Sequence, residues 1–218
     1  MTIFKIEDFS WDSMVRWFTD WRFIRSCLFS IGILLASFVL NYYSSMYATL
    51  RASNSVSDII LSNIPVYDVE DIFIYGPLVL WCFVALLLIT NPHKIPFTLK
   101  TISLFVVIRA MFVMLTHLGP FPTQTYLNPD NIISSFTTGN DLFFSGHTGL
   151  PFLLAFIFWY DMRLRVIFIA TSILFGAVVL MGHFHYSIDV AAAFFITYTI
   201  YHIAEIWFKK DAAMFKSA

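Results

Sequence analysis

Residues 72–90 read IFIYGPLVLWCFVALLLIT and contain no charged side chain. A helix needs about 20 mostly apolar residues to cross the hydrocarbon core of a bilayer, and only helices and closed barrels satisfy their backbone groups in lipid. The apolar residues here are continuous rather than alternating, which indicates a helix and not a barrel strand. This stretch therefore predicts a transmembrane helix.

Five further stretches have the same character. They lie at residues 23–43, 98–118, 143–160, 166–181 and 187–208. The composition agrees with them, since 59% of the residues are hydrophobic and only 12% are charged, unlike a soluble domain. We predict an all-α fold, a polytopic membrane protein built as a bundle of six transmembrane helices.

The whole chain, residues 1–218, is predicted to form a single domain with three parts. Residues 1–22 form an N-terminal arm with a short interfacial amphipathic helix, residues 23–208 the six-helix core, and residues 209–218 a tail. The apolar residues of that helix recur at helical spacing, as an interfacial helix requires. They are Trp11, Met14, Val15, Phe18 and Trp21.

Basic residues are concentrated in alternate loops of this six-span arrangement. Eleven of the 13 lysines and arginines fall on one side, leaving Arg51 on the other side and Arg109 within a span. Because cytoplasmic loops carry the excess of basic residues, we predict cytoplasmic termini and exoplasmic (periplasmic or lumenal) loops at 44–71, 119–142 and 182–186. The net charge of −1 gives no general attraction to nucleic acid.

Both cysteines, Cys27 and Cys82, fall within predicted spans. They are therefore not expected to form an extracellular disulfide framework. We predict that both are buried as small apolar residues of the core.

Two polar clusters lie on the predicted exoplasmic side, at 141–148 (DLFFSGHT) and 183–189 (HFHYSID). His185 and Asp189 are four residues apart, so on a helix they share one face. A carboxylate that holds one imidazole nitrogen leaves the other exposed as a nucleophile. His147 is the candidate for the accompanying general acid and base, and Ser145 and Gly146 allow donors to approach a phosphoryl oxygen closely.

Arg109 lies inside the third predicted span. An unpaired guanidinium is costly there, so we expect it to face the bundle interior and an anion. A substrate phosphate is one candidate for that anion, and a structural ion pair with Asp141 or Asp189 is the alternative.

Taken together, these motifs resemble the sphingomyelin synthase branch of the type 2 phosphatidic acid phosphatase superfamily. The pairing of SGHT (145–148) with HYSIDV (185–190) carries the resemblance. Further positions agree with the longer motifs of that branch: Asp141, His183, Tyr201, His202, Arg109, Thr116, Leu118, Pro120 and Pro122.

The resemblance implies six spans, an exoplasmic site and no cofactor or metal. It implies that His185 attacks the phosphorus of a phospholipid head group, that Asp189 supports His185, and that His147 is general acid and then base. The implied partners are membrane lipids: a phospholipid donor, and ceramide or diacylglycerol as the acceptor of phosphocholine or phosphoethanolamine. Arg109, Ser145 and Gly146 are expected to bind the phosphate, with Asp141, His183 and Tyr186 in support, and a homo-oligomer is possible.

Three departures from the family pattern bear on the substrate. Gly139 and Asn140 replace the family's Cys-Gly, and Gly119 with one extra residue precedes the prolines. Val179 lies where the phosphatase branch has an arginine, which disfavours a plain phosphate-monoester phosphatase.

Other interpretations remain open at the level of sequence. The same site suits a lipid phosphatase or a phospholipase C type hydrolase, and a non-catalytic lipid-binding membrane protein is the alternative of another class. His183 with His147, His185 and Asp189 could instead hold a metal. Asp141 either orients His147 or caps the fourth span. Acidic residues of the first exoplasmic loop are expected to form a solvated face, although some could attract a choline-type cation with Tyr67 or Tyr75. They are Asp58, Asp68, Glu70 and Asp71.

Overall fold

The computed structural model describes residues 17–125 and 142–216, and these residues form helices and no strands. The helices, after a helical turn at 17–19, are α1 (Trp21–Leu50), α2 (Glu70–Thr90), α3 (Ile95–Leu115), α4 (Gly146–Ile157), α5 (Met162–Met181), α6 (Ser187–Trp207) and α7 (Lys209–Lys216), with a 3₁₀ turn at Pro92–Lys94. Helices α1, α2, α3, α5 and α6 are long and apolar enough to cross a membrane. The predicted all-α polytopic membrane bundle is confirmed.

Helix α4 is shorter than the predicted span at 143–160. Its 12 residues extend about 18 Å at 1.5 Å per residue, against about 30 Å of hydrocarbon. The helix cannot begin earlier because Phe143 has a positive φ of 101°, and the Oγ of Ser145 caps the first turn by accepting from Thr148 N. At its other end the chain turns through Phe158 to Asp161, which caps α5.

The centre of the bundle is α3, which packs along α1 on one side and against α4 and α6 on the other. Helix α4 lies between α5 and α6. Close approach depends on two glycines: a Cβ on Gly149 would lie 2.7 Å from the ring of Phe105, and one on Gly176 would lie 3.4 Å from Thr148 Oγ1. Small residues at such contacts are what helix packing in lipid requires.

The predictions for the N-terminal arm and for the C-terminal tail can be compared with the structure to different extents. Most of the predicted amphipathic helix lies outside the described residues, with only Phe18 and Trp21 inside them. The predicted tail contains α7, which packs against the bundle through buried Ala212 and Phe215. An ion pair between Lys100 on α3 and Asp211 on α7 reinforces this contact.

The prediction that both cysteines are buried is wrong for Cys82. Cys27 is buried, whereas Cys82 on α2 is exposed. Helix α2 is apolar on every side, so its sequence does not distinguish the lipid-facing surface from the packed one. A thiol behaves as a small apolar group and is tolerated on either.

Candidate active site

His185 and Asp189 form a buried pair at the start of α6. Nδ1 of His185 lies 3.2 Å from Oδ2 of Asp189, which also accepts from the backbone N–H of Tyr186 at 3.1 Å. Asp189 is completely buried and His185 is 5% exposed. A carboxylate in this position favours the Nδ1–H tautomer, and Nε2 of His185 is then the nitrogen with an available lone pair.

The second motif is joined to the first through the backbone. The N–H of Ser145 donates to the carbonyl oxygen of Asp189 at 3.2 Å, so the start of α4 is held beside the start of α6. Ser145 is completely buried and its Oγ accepts from Thr148 N. Its hydroxyl therefore caps α4, while the first N–H groups of that helix have no partner within it.

His147 lies at this end of α4, against α2. Its ring stacks on Phe73 with centroids 4.2 Å apart, and meets Phe175 edge-on at 6.3 Å. Nε2 of His147 lies 3.2 Å from the carbonyl oxygen of Phe73. A carbonyl oxygen only accepts hydrogen bonds, so Nε2 carries the proton in this contact.

Arg109 on α3 faces the bundle interior, as its place in the span predicts, and is 8% exposed. Its Nε donates to the carbonyl oxygen of Phe144 at 3.1 Å, and its Nη1 to Oδ1 of Asn41 on α1 at 3.3 Å. Both of these acceptors are uncharged oxygens. Gly146 leaves room for this arrangement, because a Cβ there would lie 3.4 Å from Nε of Arg109.

The alternative partner Asp189 is engaged by His185 and Tyr186. The other alternative partner, Asp141, lies outside the described residues. Its two predicted roles, orienting His147 or capping the fourth span, therefore stay predictions.

Arg109, His147 and His185 line one cavity of about 250 Å³. Its polar lining comprises Arg109, Gly146, His147, His185 and Asn41. The remaining wall is apolar and is formed by helices α1 to α5 and by the residue before His185. Its residues are Phe38, Phe73, Pro77, Leu80, Trp81, Phe105, Val106, Leu150, Pro151, Phe175 and Phe184. The cavity is thus lined by a guanidinium and two imidazoles together with mostly apolar side chains.

Asp58 is buried against the start of α6 and is not in a solvated face, so the prediction for this residue is wrong. It is 7% exposed. Its Oδ2 accepts from the N–H and Oγ of Ser187 at 2.7 and 2.8 Å, and its Oδ1 from the N–H groups of Ile60 and Leu61. Burial raises the pKa of Asp58, but these four hydrogen bonds outweigh it and hold the pKa below its ordinary value.

The burial of Asp58 was not predicted, because the hydrogen-bond partner of this loop carboxylate is distant in the sequence and no local sequence pattern indicates it. The other acidic residues of the loop fit their prediction better, since Asp68 and Asp71 are exposed and Glu70 is partly so.

The side chains of Tyr186 and His183 make their hydrogen bonds to residues other than His185 and Asp189. Tyr186 is 1% exposed; its hydroxyl donates to the carbonyl oxygen of Gly119 at 2.8 Å and accepts from Val56 N. Burial raises the pKa of this phenol. His183 has a positive φ of 55° and its Nδ1 shares a hydrogen bond of 2.7 Å with Thr123 Oγ1. Burial lowers the pKa of His183, against the opposing effect of the Asp58 charge.

The described residues contain no set of ligands for the metal site that the sequence left open. Within 17–125 and 142–216, no three His, Cys, Asp or Glu side chains are placed to hold one ion. His183 is directed to Thr123 rather than to the His185–Asp189 pair.

A comparison with protein families adds an independent observation. Residues 138–206 match the family model described as PAP2 superfamily C-terminal. This match supports the type 2 phosphatidic acid phosphatase superfamily. The matched segment contains His147, His185 and Asp189, and it supports an enzyme of the lipid phosphatase or phosphotransferase kind. No curated protein and no solved structure is significantly similar to the chain.

The structure thus brings Arg109, Gly146, His147 and His185 to one cavity, with Asp189 behind His185. Their individual roles stay predictions. Sequence reasoning missed Asn41, although an amide inside a long apolar span is itself a signal of a polar partner.

Proposed function

We propose that the chain is a lipid phosphotransferase that moves phosphocholine or phosphoethanolamine from a glycerophospholipid to ceramide or diacylglycerol. The observation that carries this proposal is the shared cavity of His185, His147 and Arg109, with apolar walls suited to a lipid. The reaction would take place at the exoplasmic side, because Arg163 and Arg165 at the start of α5 and the lysines of α7 lie at the opposite helix ends.

In the first half of this reaction, Nε2 of His185 attacks the phosphorus. The N–P bond forms, and the bond from phosphorus to the diacylglycerol oxygen breaks. His147 donates a proton to that leaving oxygen. Asp189 holds the Nδ1–H of His185 and stabilises the positive charge that develops on its ring.

In the second half, an acceptor hydroxyl attacks the phosphohistidine. His147, now neutral, takes the hydroxyl proton, and the N–P bond breaks to regenerate His185. Arg109 binds the phosphate oxygens throughout, together with the first N–H groups of α4. Transfer to water by the same steps would be hydrolysis.

The described lining of the cavity favours a phosphodiester over a phosphate monoester. Of the described residues that line it, only Arg109 has a permanent positive charge, which matches the single negative charge of a diester. Val179, where the phosphatase branch has an arginine, is completely buried in an apolar cluster with Phe73 and Phe184. It supplies no second cation for a doubly charged monoester.

The test uses purified protein in vesicles that contain head-group-labelled phosphatidylcholine or phosphatidylethanolamine, with and without ceramide or diacylglycerol. We expect label in the acceptor lipid, and a loss of about 10²- to 10⁴-fold in His147→Ala. His185→Ala should lose all transfer. Label that appears only in water would support the hydrolase instead.

The matched control is His202→Ala, since His202 lies on α6 as well but is exposed and pairs with Glu205. Its activity should equal that of the wild type. If His185→Ala and the wild type cannot be distinguished on any of these lipids or on phosphatidate, the proposed function is wrong.

A further inference from the structure

Helix α2 contains a proline, Pro77, one turn after Phe73. In a regular α-helix the N–H of residue 77 would donate to the carbonyl oxygen of residue 73. Proline has no N–H, and its ring displaces the carbonyl four residues earlier. The oxygen of Phe73 therefore lacks its usual donor at position 77.

That oxygen is the one that meets His147. It lies 3.2 Å from Nε2, and the ring of the same Phe73 stacks on the imidazole at 4.2 Å. Pro77 and His147 also line the same cavity. One residue of α2 thus provides both a hydrogen-bond acceptor and a flat surface for His147.

We propose that Pro77 is a positioning residue of the active site: it leaves the Phe73 carbonyl open to His147 Nε2, so that Nδ1 is the nitrogen that exchanges protons with the lipid. This inference rests on the proposed function for the role of His147. The fixing of the tautomer itself does not depend on that function.

In the described part of the chain, the acceptor that Nε2 of His147 meets is the carbonyl oxygen of Phe73. Arg109 on α3 cannot accept a hydrogen bond. His185, at the start of α6, has its Nδ1 committed to Asp189. On α2, Glu70 lies one turn before Phe73. The group that α5 places against His147 is the apolar ring of Phe175.

The test restores the missing N–H. In Pro77→Ala the new N–H competes with His147 for the Phe73 oxygen, and we expect kcat to fall about 10- to 100-fold with little change in KM, because a small misplacement of a catalytic group has effects of this size. The variant should fold, since alanine is favoured over proline in a helix.

A matched control separates the N–H from the loss of the ring. Lactic acid incorporated in place of Pro77 has the methyl group of alanine but an ester oxygen instead of N–H. This protein should keep most of the wild-type kcat. Pro96→Ala, in the first turn of α3, where a proline displaces no helical hydrogen bond, should also keep it. Equal losses in the alanine and lactic acid proteins would overturn the proposal.

A spectroscopic measurement tests the inference without activity. Nitrogen-15 NMR of histidine-labelled protein distinguishes the two tautomers, and the signal absent from His147→Asn identifies the residue. We expect His147 to be an Nε2–H tautomer in the wild type and in the lactic acid protein, and a mixture in Pro77→Ala. A wild-type His147 in the Nδ1–H form would refute the inference, whereas an inactive wild type with the Nε2–H form would refute only the proposed function.

Discussion

Lys100→Met is expected to destabilise the protein through a contact far from the cavity. Nζ of Lys100 on α3 lies 2.7 Å from Oδ2 of Asp211 on α7 and 2.9 Å from Oγ of Ser26 on α1. Ser26 in turn donates to the other oxygen of Asp211 at 2.7 Å. The lysine side chain is 8% exposed and the aspartate 14%. Three helices are therefore joined through one largely buried ion pair.

The magnitude follows from what the substitution leaves behind. Removing one partner of a buried pair costs about 3–5 kcal/mol, because the other charge remains uncompensated. Asp211 retains some exposure, so we expect the lower end, about 3 kcal/mol. In the double variant Lys100→Met/Asp211→Leu no charge is left, and an apolar replacement of a whole pair is often neutral or stabilising. The double variant should therefore be more stable than Lys100→Met alone.

The assay is reversible unfolding in mixed micelles, followed by tryptophan fluorescence and analysed as a double-mutant cycle. The control is Lys210→Met, an exposed lysine on α7, which should change the free energy of unfolding by less than about 0.5 kcal/mol. The reasoning is refuted if Lys100→Met is as stable as that control, or if the double variant is less stable than both single variants.

Further predictions concern the surroundings of the cavity. Asp58→Asn should lower the melting temperature at neutral pH, because Ser187 loses a charged acceptor. Since the pKa of Asp58 is lowered on folding, its stabilisation is complete above the ordinary value of 3.8 and is lost as the pH falls through the folded value. The two melting curves should therefore converge in acid. Gly149→Ala should unfold more easily than the wild type, because its Cβ would lie 2.7 Å from Phe105. Gly32→Ala, with nothing within 4 Å, should be neutral or stabilising, and equal effects of the two alanines would contradict this.

The sequence predicts the bundle well because apolar length is a local property. Five predicted spans correspond to helices α1, α2, α3, α5 and α6. The limits of α4 were not predictable in the same way, since they depend on the backbone conformation of Phe143 and on the cap at Ser145. Hydropathy averages over such features and extends a span through them.

The site is predictable only in part, for a related reason. His185 and Asp189 are four residues apart, so their contact can be read from helical spacing. Asp58 and Ser187 are 129 residues apart, and Phe73 and His147 are 74 apart. Nothing local to either residue of these pairs indicates its partner. A proline within a span is visible in the sequence, but which side chain takes the carbonyl that it leaves open is a matter of tertiary packing.

The cavity lies below the ends of the helices that surround it. Thr148 packs on Gly176 of α5, and α5 continues for five more residues to Met181, or about 8 Å at 1.5 Å per residue. Arg109 lies six residues before the end of α3, which is about 9 Å by the same measure. Both estimates place the cavity about one and a half helical turns below the helix ends. A guanidinium at that depth attracts a phosphate more strongly than it would in water. In the proposed reaction, a lipid presents its phosphate to His185 while its chains stay in hydrocarbon, because the same cavity has apolar walls.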